Sequence, residues 1–207
     1  MKTNILLLLT LSLAACTGLR KTQKDVSLTF SPTQQSIIMS ADTATPMRVY
    51  LITHRADSIL LRSKSQNVIA NPKDPLLQHF VKRLYRTVTD SASLGVGIAA
   101  PQVGILKNII WVQRFDKENF PFEVYLNPTI LQYTKQKQDC PEGCLSIPNK
   151  RGITTNRAYA ILIDYDRLDG SHHTEMVEGF TAVVFQHEID HLNGILFIDH
   201  LEKELKK

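Results

Sequence analysis

The sequence lacks the features that define several large classes of protein. Three cysteines in 207 residues are too few for a disulfide scaffold, and nine glycines exclude a collagen-like chain. No apolar run approaches the ~20 residues that a bilayer-spanning helix needs, which excludes a polytopic membrane protein. A net charge of +4 without a basic run does not indicate nucleic-acid binding. With 43% hydrophobic and 21% charged residues, the chain can instead form one packed domain.

The N-terminus resembles an export signal. Lys2 is followed by a short, largely apolar run, Ile5 to Leu13, and then by two alanines. The segment Leu-Ala-Ala-Cys ending at Cys16 is similar to the lipobox of bacterial lipoproteins, whose cysteine is lipidated and becomes the new N-terminus. We therefore expect residues 1–15 to be a signal peptide and Cys16 to anchor the mature chain to a membrane.

The next segment, residues 16–46, is rich in Ser, Thr, Gln and Lys and has weak hydrophobic periodicity. We interpret it mainly as a tether between the lipid and a domain formed by residues 47–207. A short strand around Ser36 to Met39, or an ordered N-terminal element, is the alternative.

Two helices and a larger number of strands are predicted in the domain. Helical spacing of apolar residues predicts helices over Pro75–Thr89, capped by Asp74, and over Gly179–Leu192. Turns are predicted at Asn127-Pro128 and Asp169-Gly170. Strands are predicted at Asn108–Val112, Phe122–Leu126, Thr129–Tyr133, Ala160–Tyr165 and His173–Val177. Because the strands do not alternate with helices, the pattern favours an α+β fold with antiparallel β-sheets.

The strongest chemical signal is His187-Glu188-Ile189-Asp190-His191. Histidines four residues apart on a helix share one face, with β-carbons about 5–6 Å apart, so both imidazoles can bind one metal ion. Glu188 points to the side and can reach a water on that metal without being a ligand. The motif predicts a catalytic metal site.

Such a site needs a third ligand and an open position for water. Phe197 stands where the extended motif HExxHxxGxxH has its third histidine, which counts against that protease class. The downstream glutamates, Glu202 and Glu204, are poorly spaced for a thermolysin-like ligand. Upstream, Cys144 in Glu-Gly-Cys-Leu-Ser offers a thiolate, which suits a borderline or soft metal. Considered alone, Cys144 is better explained as a small buried hydrophobic side chain.

A third feature is the segment Gly95 to Gln102, GVGIAAPQ. It does not fit a dinucleotide-binding loop, because Pro101 stands where the helix should begin and no third glycine follows at the required spacing. Its small residues indicate backbone that a ligand approaches closely, with Gln102 as a neutral donor at the end. Considered alone, however, the segment favours a tight structural turn over a ligand site.

In this order, GVGIAAPQ, EGCLS and HEIDH resemble the three motifs of the peptide deformylases. The resemblance extends to Asp57–Arg62 and Tyr125–Pro128 and covers roughly Met47 to the C-terminus. It implies an α+β fold in which antiparallel β-sheets pack around a central helix carrying the HExxH motif. It also implies an enzyme that removes the formyl group from N-formyl-methionyl peptides, with hydroxide on the metal attacking the formyl carbon.

The resemblance implies roles for individual residues. The metal ligands would be Cys144, His187 and His191, and Glu188 would be the general acid/base. The oxyanion would be stabilised by Gln102 and the backbone N–H of Leu145, while Gly97 would keep the site unobstructed. The substrate chain would lie between the backbones of Val96 and Gly143. Our candidates for the wall of the methionine pocket are Val183 and Val184, with ordinary core packing as an equal alternative for Val184.

The implied cofactor is one divalent ion. A thiolate with two imidazoles suits Zn(II), Ni(II), Co(II) or Fe(II), and the family preference implies Fe(II). The expected partner is an N-formyl-methionyl peptide or nascent chain bound by a monomer, with no nucleic acid and with a membrane contacted only through Cys16. The alternative function is a lipid-anchored, catalytically weak or inactive peptide-binding member of the same fold.

The export signal conflicts with deformylation at the ribosome. A translation start at Met47 would resolve the conflict and make the protein cytoplasmic, since the sequence from there resembles an ordinary deformylase N-terminus. We favour a membrane-anchored, extracytoplasmic lipoprotein, because chance seldom places a cysteine directly after such an apolar run.

Three further expectations concern residues near the motifs. Cys140 lies four residues before Cys144 and could pair with it in an oxidising compartment. Glu142 and Arg151 could pair across the turn that follows the cysteine motif. The pair His172-His173 is expected to be a solvated part of a hairpin.

Overall fold

A computed structural model of the chain describes residues 29–92 and 95–204. The expected signal peptide and Cys16 lie outside the described residues. Within these residues, five α-helices and seven strands follow one another in the order α1 (Pro32–Ile38), α2 (Arg55–Leu61), α3 (Pro75–Val88), β1 (Gly97–Ala99), β2 (Ile109–Gln113), β3 (Phe122–Tyr133), β4 (Lys137–Cys144), β5 (Ile147–Ala158), β6 (Ala160–Asp166), β7 (His172–Glu178), α4 (Gly179–Leu192) and α5 (Phe197–Glu204).

The strands form two antiparallel sheets. One has five strands in the order β1-β2-β3-β6-β7, and the other is the β4–β5 hairpin. Every pair of neighbouring strands in these sheets is antiparallel. The predicted mixture of helices with antiparallel sheets is therefore confirmed.

Helix α3 forms where its apolar spacing predicts it. The side chain of Asp74 accepts hydrogen bonds from the N–H groups of Leu76 and Leu77, which would otherwise be unpaired in the first turn, and Pro75 begins the helix. Its apolar face is fully buried and packs in one core together with β1, β2 and α1; it is formed by Leu77, Phe80, Val81, Leu84 and Val88.

Helix α4 follows β7 without a loop. Gly179 makes this abrupt change at a backbone φ of +59°, which residues with a side chain rarely adopt, and its N–H donates to the carbonyl of Tyr159. The helix is apolar on most of its surface because it packs against the sheet, where Phe185 contacts the ring of Tyr125. Because the helix is held against the sheet in this way, the direction in which its HExxH motif faces is also fixed.

The tether prediction is wrong for the part of residues 16–46 that the structure describes. Ser31 and Gln34 form a capping box that starts α1, so the alternative of a strand around Ser36 to Met39 is also wrong. Phe30 and Ile38 are buried in the core with α3. Because these two buried side chains hold it, the described part of this segment is ordered, as the alternative of an ordered N-terminal element predicted.

Two other local predictions need correction. Asn127-Pro128 is not a turn between strands: β3 continues through it, with a register shift against β6 and a φ of +52° at Asn127. The β4–β5 hairpin was not predicted, because its strands are polar and its register is irregular. No described helix has both the length and the apolar character needed to cross a membrane.

Candidate active site

Three potential metal ligands converge where β4 ends beside α4. Cys144 is the last residue of β4, and α4 carries His187 and His191 with ring centroids 5.0 Å apart. One ligand atom from each lies within 4.8 Å of the other two, and Sγ of Cys144 is 3.2 Å from Nε2 of His191. One ion can contact all three, and the described residues contain no second group of this kind.

The protonation chemistry of this cluster fits a divalent cation. Burial alone raises the pKa of the Cys144 thiol, but the charges and hydrogen bonds of His191 and His187 outweigh burial and lower this pKa to about 5. Cys144 is therefore a thiolate at neutral pH, which is the form that binds metal. A thiolate with two imidazoles is a donor set for zinc or ferrous ion, so the residues present fit the predicted metal.

Glu142 fixes the orientation of the His187 ring. Nδ1 of His187 donates to Oε2 of Glu142 at 2.6 Å, which leaves Nε2 free for the cluster. Burial raises the pKa of Glu142, but hydrogen bonds from His187 and Arg157 outweigh burial and hold this pKa well below its usual range. A permanent carboxylate behind a ligating histidine sets its tautomer and increases its basicity.

A chain of charged groups extends from Glu142 to the last helix. Arg157 donates from Nε to Glu142 at 2.7 Å and from Nη1 to Asp190 at 2.6 Å. Asp190 in turn lies 2.9 Å from Nε2 of His200, on α5. This network connects the hairpin, α4 and α5 directly behind the three potential metal ligands.

Sequence reasoning missed most of this network. The expected pair of Glu142 with Arg151 is wrong, because the Glu142 carboxylate is bound by Arg157 and His187 instead. One signal was available: alternate residues of a strand share a face, so a strand ending at Cys144 places Glu142 on the same side. Nothing in the spacing indicated Arg157, whose position depends on the irregular pairing of β4 with β5.

Glu188 lies in a buried position beside the cluster. Only 4% of the residue is exposed, and its Oε2 has no hydrogen-bond partner among the described residues. Burial, opposed by the two histidines, raises the pKa of Glu188 to about 7, which suits a group that exchanges protons near neutral pH. A Cβ at Gly97 would lie 2.5 Å from Oε1 of Glu188, so only glycine leaves this space open.

Gln102 is held so that its amide N–H₂ group faces the cluster. Its Oε1 accepts the backbone N–H of Ala99 at 2.8 Å, which fixes the amide orientation. Its Nε2 then lies 3.5 Å from Sγ of Cys144 and 3.4 Å from Oγ of Ser146. Gln102 is therefore a preorganised neutral donor beside the potential metal ligands.

Gln102, Cys144, His187 and Glu188 line one open cleft of about 780 Å³ between β1, the β4–β5 hairpin and α4. Val183 and Val184 line it, as predicted for a pocket wall, and so do Val96, Gly143 and Leu145. Sequence reasoning assigned no role in the cleft to several further lining residues, among them Pro148, Asn149, Lys150 and Phe180.

The remaining cysteine and histidine candidates lie outside the cluster. Cys140 is a free thiol buried in β4. At about 3.3 Å per strand residue it is ~13 Å along the strand from Cys144, beyond the ~7 Å limit for a disulfide. His172 and His173 are exposed at the start of β7, where His172 contacts two aspartates, so their assignment to a solvated hairpin is confirmed.

Comparison with known proteins points to the family that the motifs resemble. The family model described as polypeptide deformylase matches residues 49–207. The chain belongs to the peptide deformylase family. Over 153 residues it is 40% identical to the peptide deformylase of Desulforudis audaxviator, which covers 74% of this chain and 94% of that protein. The peptide deformylase of Prochlorococcus marinus (strain NATL2A) is 35% identical over 167 residues, 78% of this chain and 77% of that protein.

Solved structures of peptide deformylases share the fold. The Met-Ala-Ser-bound enzyme of Acinetobacter baumannii superposes with a TM-score of 0.65 at 31% identity, covering 76% of this chain and 99% of that one. The peptide deformylase of Thermotoga maritima gives a TM-score of 0.64 at 31% identity, covering 75% of this chain and 97% of that one.

Proposed function

We propose that this deformylase hydrolyses the formyl group of N-formyl-methionyl peptides and releases formate, using one divalent ion bound by Cys144, His187 and His191. The observation that carries this proposal is the convergence of those three residues beside one open cleft, which is lined by Gln102, Cys144, His187 and Glu188. In this arrangement α4 is the central helix that presents the metal motif.

The bound ion supplies Lewis acidity, which makes water acidic enough to be deprotonated near neutral pH. Glu188 takes that proton, because its carboxylate is buried beside the ligands and its pKa lies near 7. After the attack on the formyl carbon, Glu188 returns the proton to the departing amine. We expect Glu188 alone to make both proton transfers, because the formyl carbon and the departing nitrogen belong to the same amide bond.

The formyl oxygen collects negative charge during the attack. The Gln102 amide and the backbone N–H of Leu145 stabilise this charge, and loss of one such donor typically costs ~10²–10³ in rate. The methionine side chain lies against Val183 and Val184. The peptide backbone lies between Val96 and Gly143 as an added strand.

The test is formate release from formyl-Met-Ala-Ser by the purified domain, with and without a chelator. We expect turnover that disappears with the chelator and returns when a divalent ion is added. Binding of the peptide without formate release in the ion-loaded protein would favour the alternative, a catalytically weak or inactive peptide-binding member of the fold.

The proposed native ion is Fe(II). The thiolate and imidazole donors also accept Zn(II), Ni(II) or Co(II), so the donor set alone does not choose among them. Metal analysis of protein purified without oxygen tests the assignment. Iron as the main bound metal is the expected result, and zinc as the main metal would contradict it.

We also propose that Cys16 is lipidated and that the domain works outside the cytoplasm on formyl-peptides or incompletely processed exported proteins. The support is the order of a basic residue, an apolar run and Leu-Ala-Ala-Cys. Cell fractionation with a fatty-acid probe, using Cys16→Ala as the control, tests this. An unlabelled cytosolic protein that starts at Met47 would contradict it.

A further inference from the structure

We propose that Lys150 and Arg151, here called the rim cations, make the cleft prefer substrates with a carboxylate shortly after the formyl-methionine. This inference rests on the proposed function, because it names the substrate class of the same cleft. The carboxylate has two sources, the free C-terminus of a short peptide or an acidic side chain.

A bulge in the hairpin turns these residues toward the cleft. Gly143 pairs with Arg151, whereas the next residue of β4, Cys144, pairs with Ile147. The residues from Pro148 to Lys150 therefore have no partner across the hairpin. Such bulges change the direction of side chains and are frequent near active sites. Here the whole stretch from Ile147 to Arg151 lines the cleft.

The rim cations carry charge that the described protein does not neutralise. Both residues are exposed, and neither forms an ion pair with a described residue. The acidic residues that line the cleft, Glu142 and Glu188, are both buried, and Glu142 is already bound by Arg157. The exposed charge at the edge of the cleft is therefore positive, which complements an anionic group of a ligand.

Arg151 also lies beside the backbone that is expected to bind the peptide. A Cβ at Gly143 would be 3.5 Å from Cγ and 3.8 Å from Nε of Arg151. The formyl group belongs next to Cys144, and an extended peptide advances about 3.3 Å per residue. The second or third residue of the substrate thus passes the rim cations.

The test compares kcat/KM for formate release from matched peptides. Formyl-Met-Ala-Ser with a free C-terminus is compared with its C-terminal amide, and formyl-Met-Ala-Asp-amide with formyl-Met-Ala-Asn-amide. These two pairs distinguish the terminal carboxylate from an acidic side chain. We expect at least one carboxylate peptide to be favoured about two- to fivefold, as for exposed ion pairs, mainly through KM. The preference should shrink at ~1 M salt.

Substitutions of the rim cations then test whether these two residues cause the preference. A variant that carries both Lys150→Gln and Arg151→Gln should lose the preference for carboxylate peptides, whereas Arg151→Lys should retain most of this preference. Lys73→Gln removes the same charge from an exposed position that does not line the cleft and should change nothing. Equal kcat/KM within both peptide pairs, or a preference that survives the double substitution, would overturn the inference while leaving the proposed function intact. No formate release from any peptide would contradict the proposed function itself.

Discussion

Nδ1 of His187 lies 2.6 Å from Oε2 of Glu142, so a residue of the β4–β5 hairpin sets the orientation of a proposed metal ligand on α4. Removing the charge of Glu142 should misalign that ligand. We expect Glu142→Gln to bind metal about 10- to 100-fold more weakly, measured by chelator competition. Glu118→Gln, in an exposed loop, is the matched control. Unchanged metal affinity in Glu142→Gln would contradict the positioning role.

Glu188 should be essential for turnover but not for metal binding. It lies beside the proposed metal ligands without being one of them, and general acid–base catalysis contributes about 10²–10⁴ in rate. We expect Glu188→Ala to retain a full complement of metal and to lose at least ~100-fold in kcat. Near-normal activity in this variant would remove Glu188 from the mechanism.

The two cysteines that the structure describes should behave differently. Cys144 lies in the cluster, whereas Cys140 is buried elsewhere in β4. Cys144→Ser should lose metal and activity, because serine is a poor ligand for the same ions. Cys140→Ser should keep both. If the Cys140 variant is the one that loses metal, the ligand assignment is wrong.

Gly97 should tolerate no side chain. The Cβ of alanine would lie 2.5 Å from Oε1 of Glu188 and 2.9 Å from Cγ1 of Val184, so Glu188 must move. We expect Gly97→Ala to lower kcat about 100-fold, the typical cost of a catalytic group displaced by about 1 Å. Metal content should remain normal, which distinguishes a shifted Glu188 from a damaged metal site. A variant with wild-type kcat would show that Glu188 does not need this space.

Asp57 should stabilise the fold in a pH-dependent way. Burial raises the pKa of Asp57, but hydrogen bonds from the Leu51 N–H and the Arg48 side chain outweigh burial and lower this pKa below 3.8. Its charge therefore stabilises the protein fully above about pH 4, and the contribution is lost as the pH falls through the lowered value.

We expect Asp57→Asn to lower the free energy of unfolding by about 1–2 kcal/mol at pH 7. The difference from wild type should narrow at pH 3, where the wild-type carboxyl begins to protonate. Urea unfolding at the two pH values measures this. A difference that is constant or larger at pH 3 would disprove the charge-based explanation.

The parts of the site that depend on local periodicity could be predicted from the sequence. His187 and His191 share a face because helix geometry alone places residues four apart together. The cap at Asp74 and the turn at Asp169-Gly170 are local in the same sense. Each of these features is determined by a few residues that are neighbours in the sequence.

Features that depend on distant contacts could not be predicted. Helix α1 is ordered because Arg83 on α3 donates to the carbonyls of Ile37 and Ile38, and that partner is 45 residues from Ile38 in sequence. The capping box at Ser31 could be recognised in the sequence, but a helix of seven residues is too short to be stable alone. The Glu142–Arg157 pair depends on a bulged register that no periodic pattern predicts.

The position of Cys144 means that the proposed metal ion would also affect how the protein unfolds. Cys144 belongs to the separate two-stranded sheet and His187 to the helix that packs on the large sheet, 43 residues later. An ion bound by both closes a loop of that length, much as a covalent cross-link does, and it binds the native chain more tightly than the unfolded one. Loss of the ion should therefore loosen the hairpin before the rest of the domain, so that limited proteolysis within β4 and β5 reports metal loss earlier than global unfolding does.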